Sequence, residues 1–438
     1  MMRDKLGIEE IYIIIGYLEE QIKDYFGDGS KLGVKIRYVM QKKLGGIGAA
    51  IYLLKDAIKE KFTVILGDEL YIDSNHEEIL RALNKDFDAI CCFIETPDKD
   101  KIKRNYSGEF ANGRVKYLIE KPQKPTNNYL GCGTYILSPK IFEYIERTTP
   151  SSLRNEVEIT DVISSMAASE RKVYPFFLKG SYLNITNVED MNSANYILRS
   201  KNFKDYKASV VIPACNEEAS IKKVIEEFKT PAVHEIIVVD NNSGDKTGEL
   251  AKAGGARVII EKKRGYGDAL KRGMEAAKGE IIILTEADGT FRSKDIGKIL
   301  EYLKDADMVI GTRTTRQMIE QGSNMGWFLR WGNVFLGKFI EVLWWRQEPR
   351  FTDVGCTSRG IWKDSYLKIK DNLHCSGPEF SPEMMIESLK AHLRVIEIPV
   401  SYYKRMGGES KHSAGFKKIK TGLKMLNLIL GKKFGWKA

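Results

Sequence analysis

Two series of short apolar runs, each run followed by a longer amphipathic segment, constrain the fold of this chain most strongly. Runs of four to six apolar residues separated by helix-length segments are typical of strand-helix units, in which helices cover a mostly parallel sheet. The first series covers roughly residues 7 to 190, and the second begins abruptly at SVVIPACNE, 209 to 217. The sequence therefore predicts an α/β fold with two Rossmann-like domains, each a mostly parallel sheet with helices on both faces.

The length of 438 residues agrees with two domains, since one domain usually takes ~100 to 200 residues. The polar, basic segment 193–208 separates the two series, and a boundary is expected near residue 203. We expect domains at 1–200 and 207–412, followed by a tail at 413–438.

The strands of the second series end in polar or small residues. In open α/β sheets, ligands bind outside the carboxyl ends of the strands, so a site is expected there. Its strongest local signal is TEADGTF, in which Glu286 and Asp288 follow the apolar run IIIL. Residues i and i+2 of an extended segment point the same way, and two carboxylates facing one point favour a hard cation such as Mg²⁺ or Mn²⁺. A solvated acidic turn, and for Asp245 a simple helix cap, are the structural alternatives.

Several functions are disfavoured. RGYGDA, 264–269, lacks the third glycine of a dinucleotide loop at the right spacing, and the six cysteines form no CxxC pair, which disfavours zinc and suggests reduced thiols. No export signal or membrane-spanning run is visible. Trp327 stands where the glutamine of a QxxRW motif would be, which disfavours a processive polysaccharide synthase.

Positive charge concentrates at one end. Residues 401–438 hold ten Lys or Arg and one acid, Glu409, which accounts for nine of the ten net charges of the chain. Phe416, Ile419, Leu423, Leu426 and Leu430 recur at spacings of three and four, as in a basic amphipathic helix. We expect such a helix to meet an anionic membrane surface, with a helix packed on the domain as the alternative. Its amphipathic pattern, and the lack of an RNA-binding motif beside it, argue against nucleic acid.

The second series resembles family 2 glycosyltransferases, with dolichyl-phosphate mannose synthase and related polyprenyl-phosphate sugar synthases as the nearest branch. The resemblance lies in PACNE, VVDNNSGDKT, RGYGDALKRG, EADG, GTR, TDVGCTSRGIW and RMGGESK, which occur in family order over about residues 207–412. It implies a GT-A fold and inverting transfer of a hexose from a nucleotide diphosphate sugar. The chain departs from the family at Glu286, where Asp is usual, and at Cys215, where an aromatic residue is usual.

The same resemblance implies roles for individual residues. Donor binding is expected at Pro213, Cys215, Glu217, Asp240, Ala287, Asp288, Arg313, Arg405 and Lys411. Asp288 would be the principal metal ligand, with Glu286 and Thr290 beside it. The catalytic set is expected to be Asp288, Glu286, Arg313 and Asp353.

The acceptor is inferred from what the motifs lack. A sugar alcohol needs a general base, whereas an acceptor phosphate is already ionised. The matched motifs contain no histidine besides His412, and Asp353 and Glu383 are the remaining candidate bases. A polyprenyl phosphate acceptor is therefore expected, with a cytoplasmic, peripherally membrane-associated protein. A soluble or polysaccharide acceptor, or a non-catalytic sugar-nucleotide-binding protein, remain alternatives, and the sequence leaves the oligomeric state open.

The first series resembles sugar-1-phosphate nucleotidyltransferases through LGD, EKP, GCGTYILSP and ITDV. The resemblance implies base contacts at Gln41 and Gly46, Mg²⁺ at Asp68 and sugar phosphate at Lys121. Nothing before Gly7 matches the glycine-rich triphosphate loop of that family, and Asn184 stands where a second metal-binding Asp is usual. We therefore expect this half to be catalytically silent.

Overall fold

The computed structural model describes residues 2–82, 86–151, 155–323, 325–406 and 415–435. The chain forms two compact units, Met1–Ala194 and Asn195–Ala438. No helix in the described ranges is long and apolar enough to cross a membrane.

The N-terminal unit and the segment that follows it contain strands β1 to β10 and helices α1 to α8. The strands are β1 Glu10–Ile15, β2 Lys35–Met40, β3 Phe62–Ile65, β4 Glu69–Ile72, β5 Ala89–Glu95, β6 Tyr106–Ala111, β7 Arg114–Glu120, β8 Tyr129–Leu137, β9 Val173–Leu178 and β10 Ser181–Asn184. The helices are α1 Met2–Leu6, α2 Glu19–Phe26, α3 Gly46–Tyr52, α4 Ile79–Ala82, α5 Lys99–Arg104, α6 Ile141–Arg147, α7 Ile159–Ala168 and α8 Val188–Lys201.

The strand pairing of the N-terminal unit differs from the expectation of a mostly parallel sheet. Its six-stranded sheet has the order β7-β6-β8-β5-β9, with β3 beside β8, and only β5 and β9 pair in parallel there. β1 and β2 form a separate parallel pair, and β4 and β10 an antiparallel one. A tight turn at Asn112 and Gly113, both with positive φ, joins β6 directly to β7, and so short a connection permits only antiparallel pairing.

The C-terminal unit contains strands β11 to β17 and helices α9 to α16. The strands are β11 Ala208–Ala214, β12 Val233–Asp240, β13 Arg257–Ile260, β14 Ile281–Leu284, β15 Met308–Thr312, β16 Arg359–Trp362 and β17 Val395–Pro399. The helices are α9 Ile221–Phe228, α10 Thr247–Ala253, α11 Tyr266–Ala276, α12 Ile296–Leu303, α13 Trp327–Leu343, α14 Lys363–Ile369, α15 Phe380–Lys390 and α16 Gly415–Phe434.

The seven strands of this unit form one sheet in the order β13-β12-β11-β14-β16-β15-β17. β13, β12, β11 and β14 are parallel, and β16 alone runs antiparallel to both of its neighbours. Strand side chains alternate between the two faces. Val210 and Ile212 of β11 therefore pack with α9, α10 and α12, whereas Val211 packs with α11, α13 and α15. The predicted α/β fold is confirmed, and in this unit helices cover both faces of a largely parallel sheet.

Candidate active site

A cavity of about 990 Å³ opens where the parallel strands of the C-terminal unit end. Its walls include the loops after β11, β12, β14 and β15, so the strand ends that the sequence singled out do converge. The predicted residues that line it are Pro213, Cys215, Glu217, Glu286, Ala287, Asp288, Thr290, Arg313 and Arg405. Lys411 lies outside the described residues.

Hydrogen bonds connect the loop after β11 to the loop after β12. The backbone of Asn216 is in the left-handed region. Its side-chain Oδ1 accepts a hydrogen bond from the Gly244 backbone amide at 2.8 Å, and its backbone amide donates to Ser243 Oγ at 3.1 Å. The Glu217 amide donates to Thr247 Oγ1 at 2.8 Å. Asp240 closes β12, in register with Ala214, and accepts from the Ser243 amide at 2.9 Å. These bonds hold Glu217 in the cavity wall beside the end of β12, whereas Asp240, the other predicted nucleoside contact, is the last residue of β12 and does not line the cavity.

The loop before α11 is fixed by Asn241, which the sequence analysis did not single out. Its side-chain amide donates to the Lys263 carbonyl at 2.7 Å, and its Oδ1 accepts from the Gly265 amide at 2.8 Å. The motif VVDNN contained this residue, but only the fold shows that it supports the RGYG loop. Asp245 accepts from the Thr247 amide at 3.0 Å where α10 begins, although Lys246 is the N-cap residue of that helix.

Glu286 and Asp288 meet at the hydroxyl of Thr290. Thr290 Oγ1 lies 2.7 Å from Asp288 Oδ1 and 3.2 Å from Glu286 Oε2, and the Thr290 amide also donates to Asp288 Oδ1 at 3.0 Å. The second Glu286 oxygen accepts from Thr357 Oγ1 at 2.6 Å, and Thr357 Oγ1 is 2.6 Å from the Tyr266 hydroxyl. Burial, reinforced by the charge of Asp288, raises the pKa of Glu286 to about 7. The two carboxylates therefore face a common point, at an electrostatic cost that a cation would relieve.

These residues fit a hard divalent ion. Mg²⁺ and Mn²⁺ bind oxygen ligands, and Mg²⁺ is often held by one or two carboxylates together with substrate phosphates. Asp288 and Glu286 provide two carboxylates, and Thr290 adds a hydroxyl. Among the described residues, no group of three or more His, Cys, Asp or Glu side chains is placed to bind a metal.

Arg405 bridges two acidic residues of the cleft. Its Nη1 donates to Asp288 Oδ2 at 3.1 Å, and its Nη2 donates to Glu217 Oε1. Burial raises the pKa of Glu217 even though Arg405 opposes that shift. The guanidinium therefore supplies positive charge next to both carboxylates.

Asp353 occupies a different position from that expected of a catalytic base. It is fully buried and accepts from the Arg313 amide, Nε and Nη2 at 2.9, 2.8 and 2.9 Å, and from the Gly355 amide at 3.2 Å. These donors engage both of its oxygens, so it is a partner of Arg313. Glu383 is also buried, accepting from the Cys375 amide and pairing with Lys432.

One wall of the cavity is apolar and comes from two helices. α13 contributes Phe328 and Phe335, and α16 contributes Ile419 and Leu423. All four side chains are about half exposed or more. The predicted amphipathic helix is thus present, but Met425, Leu428 and Ile429 form its buried face, whereas Ile419 and Leu423 of the expected apolar stripe remain open to solvent.

In the N-terminal unit, a series of hydrogen bonds through Asn184 and Asn105 connects the segment of the predicted metal residue Asp68 with the predicted sugar-phosphate residue Lys121. The Asp68 carbonyl accepts from the Ile185 amide at 2.7 Å, next to Asn184. The side-chain Nδ2 of Asn184 donates to Asn105 Oδ1 at 3.4 Å. The backbone carbonyl of Asn105 accepts from the backbone amide of Lys121. Gln41 follows β2, and Gly46 begins α3 with φ of 89° against the Val157 carbonyl. A side chain at position 46 would collide with that carbonyl, which explains the glycine there.

Paired carboxylates and arginines line a cleft at the carboxyl ends of a parallel sheet, the position at which open α/β sheets bind ligands. Comparison with known families gives the particular assignment. Residues 209–358 match glycosyl transferase family 2, and residues 2–201 match the nucleotidyl transferase family. The chain belongs to the family 2 glycosyltransferases, with a nucleotidyl transferase domain preceding the glycosyltransferase domain in the sequence.

Known relatives match one half of the chain each. An uncharacterised glycosyltransferase of Mycobacterium bovis is 33% identical over 48% of this chain and 91% of its own length. A low-salt glycan biosynthesis hexosyltransferase of Haloferax volcanii is 31% identical over 45% of this chain and 48% of its own length. A UTP–glucose-1-phosphate uridylyltransferase of the same organism is 29% identical over 45% of this chain and 80% of its own length.

Proposed function

We propose that the C-terminal unit transfers a hexose from a nucleotide diphosphate sugar to a polyprenyl phosphate at a membrane surface. The observation that carries this proposal is a single cavity that joins a charged end to an apolar wall. Asp288, Arg313 and Arg405 line the charged end, and the exposed apolar side chains of α13 and α16 line the other side. A lipid phosphate has the same two-part chemistry, with an ionised head and an apolar chain.

The cleft residues have separate tasks in this reaction. Glu217 and Asp240 would hold the nucleoside, and Arg405 with Arg313 would stabilise the charge that develops on the leaving diphosphate. Asp288, Glu286 and Thr290 would hold Mg²⁺ or Mn²⁺, which neutralises the leaving group when bound. An acceptor phosphate needs no base, which agrees with the buried, fully paired state of Asp353.

The transfer assay uses radiolabelled nucleotide sugars and polyprenyl phosphate, with and without Mn²⁺. We expect metal-dependent label in the lipid phase, and we expect Asp288→Ala to abolish it. Asp305→Ala is a matched control, because Asp305 lies in the turn after α12 and does not line the cavity. Label that persists in the Asp288→Ala variant would defeat the mechanism, and label transferred only to a soluble sugar would favour the alternative acceptor.

The membrane part of the proposal has a separate test. Flotation with anionic vesicles should recover the protein, and Leu423→Asn together with Ile419→Asn should reduce recovery. Both side chains are about half exposed or more, so their replacement is expected to leave the fold intact. Equal flotation of the wild type and this variant would count against membrane contact through α16.

We also propose that the N-terminal unit does not catalyse nucleotidyl transfer. Asn184 faces Asn105 beside Asp68, and a neutral amide is a poorer Mg²⁺ ligand than a carboxylate. Assays for nucleotide-sugar synthesis from sugar 1-phosphates and nucleoside triphosphates test this. Turnover above that of an Asp68→Asn variant would overturn it.

A further inference from the structure

Glu397, in the middle of β17, binds the backbone just before Asp353. Its Oε1 accepts from the Thr352 and Asp353 amides, each at 2.9 Å. Its Oε2 accepts from the Thr352 amide at 2.8 Å and from Thr352 Oγ1 at 2.7 Å. Two successive backbone N–H groups and a hydroxyl aimed at one carboxylate form a set of donors that a neutral amide could satisfy only in part. None of the sequence motifs singled out this residue.

The Thr352 hydroxyl extends this contact to the end of β15. Thr352 Oγ1 lies 2.8 Å from Thr312 Oγ1 and 2.9 Å from Thr314 Oγ1, and those two hydroxyls are 2.8 Å apart. Because Thr352 donates its hydroxyl proton to Glu397, it can act only as an acceptor toward the other two hydroxyls. Thr312 and Thr314 flank Arg313 in the chain, so Glu397 orders the backbone on both sides of that residue.

Asp353 completes the connection. Its carboxylate holds Arg313 through the backbone amide, Nε and Nη2. The Arg313 guanidinium also lies 5.1 Å from the centre of the Tyr402 ring and lines the cavity.

We propose that Glu397 is a positioning residue for Arg313. It fixes Asp353 and the threonine hydroxyls so that one orientation of the guanidinium faces the cleft, in the way that supporting hydrogen bonds orient the ligands of a metal site. Its effect on catalysis rests on the proposed transferase function. Its effect on Arg313 itself does not, and can be measured without substrate.

The substrate-free test follows the Nε–H of Arg313 by NMR in the full chain. Arg313→Lys keeps the charge next to Asp353 and removes this N–H, so the resonance lost in that variant is the one to follow. We expect Glu397→Gln to increase its solvent exchange rate at least tenfold. Glu235→Gln is the matched control. Glu235 also accepts hydrogen bonds from a hydroxyl, Ser209 Oγ, and from a backbone amide, that of Lys278, and it does not line the cavity.

An unchanged exchange rate in Glu397→Gln would overturn the proposal. If Glu397→Gln does not fold, the same exchange measurement on Thr352→Val tests the proposal, because that variant removes only the hydroxyl that links Glu397 to Thr312 and Thr314. Faster exchange in Thr352→Val supports the positioning role, and wild-type exchange contradicts it.

The catalytic test is a double-mutant cycle. Glu397→Gln should lower kcat/KM for sugar transfer at least tenfold in the wild type, and have little further effect when Arg313→Lys is already present. Restoration of activity by Glu397→Asp, relative to Glu397→Gln, would support the need for a carboxylate. If Glu397→Gln and Arg313→Lys lowered kcat/KM independently, so that their effects added in the double variant, the positioning role of Glu397 would be rejected. Absence of transfer in the wild type would reject the proposed function and leave the NMR test to decide on Glu397.

Discussion

At the scale of single residues, the position of Arg405 is the most informative. It pairs with residues 117 and 188 positions away in the chain, so no local pattern could have revealed this bridge. The sequence resemblance assigned Arg405 to phosphate, and Asp288 and Glu217 to metal and nucleoside. The structure shows Arg405 in contact with both carboxylates, so a metal ion or diphosphate that bound to these residues would exchange some of these ion pairs for new ones.

Arg405→Met should therefore separate metal binding from nucleotide binding. Without the guanidinium, Asp288 loses a competing cation, and we expect Mn²⁺ to bind several-fold more tightly in the absence of nucleotide. Nucleoside diphosphate should bind roughly tenfold more weakly, about 1.4 kcal/mol, because a charge-assisted contact is lost. Electron paramagnetic resonance of free Mn²⁺ and calorimetry with UDP and GDP measure the two effects.

Lys404→Met is the control for this experiment, because it removes the same charge one residue away and Lys404 also lines the cavity. We expect it to leave nucleotide-free Mn²⁺ binding near the wild-type value. If both variants changed Mn²⁺ affinity equally, the effect would come from the general field of the cleft.

His76 gives a pH-dependent prediction for the N-terminal unit. It is completely buried, its Nδ1 lies 2.7 Å from Ser74 Oγ, and its ring packs edge-on against Tyr71. Burial lowers its pKa to about 4. The unfolded chain therefore binds a proton at a higher pH than the folded one, and stability should fall as the pH drops from about 6.5 to about 4.

Replacing His76 by Gln should reduce the loss in the free energy of unfolding between about pH 6.5 and pH 4. The expected reduction is about 2 kcal/mol after allowance for solvent screening. Hydrogen exchange of amides in β5 and β8, at pH 7 and pH 5, measures the stability of this unit. A pH dependence equal to that of the wild type would show that other groups cause the loss.

At the scale of elements, α16 shows what the sequence could and could not predict. The spacing of its apolar residues predicted a helix correctly, and the cavity opens at the strand ends where the sequence predicted a site. The buried face of α16 was not predictable, because it depends on partners in α15. There, Glu383 and Glu387 are almost fully buried, and Lys432 pairs with them at 3.0 and 2.9 Å.

The same limit applies to other elements. A buried Asp353 and an exposed one look alike in a sequence, so its pairing with Arg313 was missed. The antiparallel β6–β7 hairpin had a visible signal, Asn112-Gly113, which is a strong marker of a two-residue turn. Apolar runs alone give the positions of strands and do not give their directions.

Lys432→Met should weaken the docking of α16. It leaves the buried Glu383 without the lysine that pairs with it and leaves Glu387 with Lys390 alone, and loss of one partner of a buried ion pair typically costs about 3 kcal/mol or more. Urea unfolding followed by circular dichroism measures the change. Lys424→Met is the control: Lys424 is exposed and 3.5 Å from Glu379, so a change below about 1 kcal/mol is expected. Equal losses in both variants would contradict a special role for Lys432.

At the scale of the whole molecule, the residues before position 207 contribute to the C-terminal unit. Arg199 of α8 is buried, donates to Asp307 at 2.9 Å, also pairs with Asp364, and stacks on Trp362. Asp307 in turn accepts from the Tyr196 and Ser365 hydroxyls at 2.8 and 2.9 Å. A fragment that began at the predicted domain start would lose these contacts.

We therefore expect a fragment 195–438 to be more stable than a fragment 207–438, by about 3 kcal/mol, because the shorter one leaves Asp307 buried without its arginine. Urea unfolding of the two fragments tests this. Arg199→Met in the full chain should destabilise the C-terminal unit in the same direction. Equal stability of the two fragments would show that α8 does not support this unit.

The exposed tryptophans of α13 and of the turn after it form an aromatic face, which gives the protein an intrinsic fluorescence signal. All six tryptophans lie between positions 327 and 436, and Trp327, Trp331 and Trp345 are more than half exposed. Indole emission shifts to shorter wavelengths when the ring leaves water for a less polar environment. Contact of this face with a bilayer would therefore shift the native fluorescence without any added dye. The N-terminal unit contains no tryptophan and would contribute nothing to that signal.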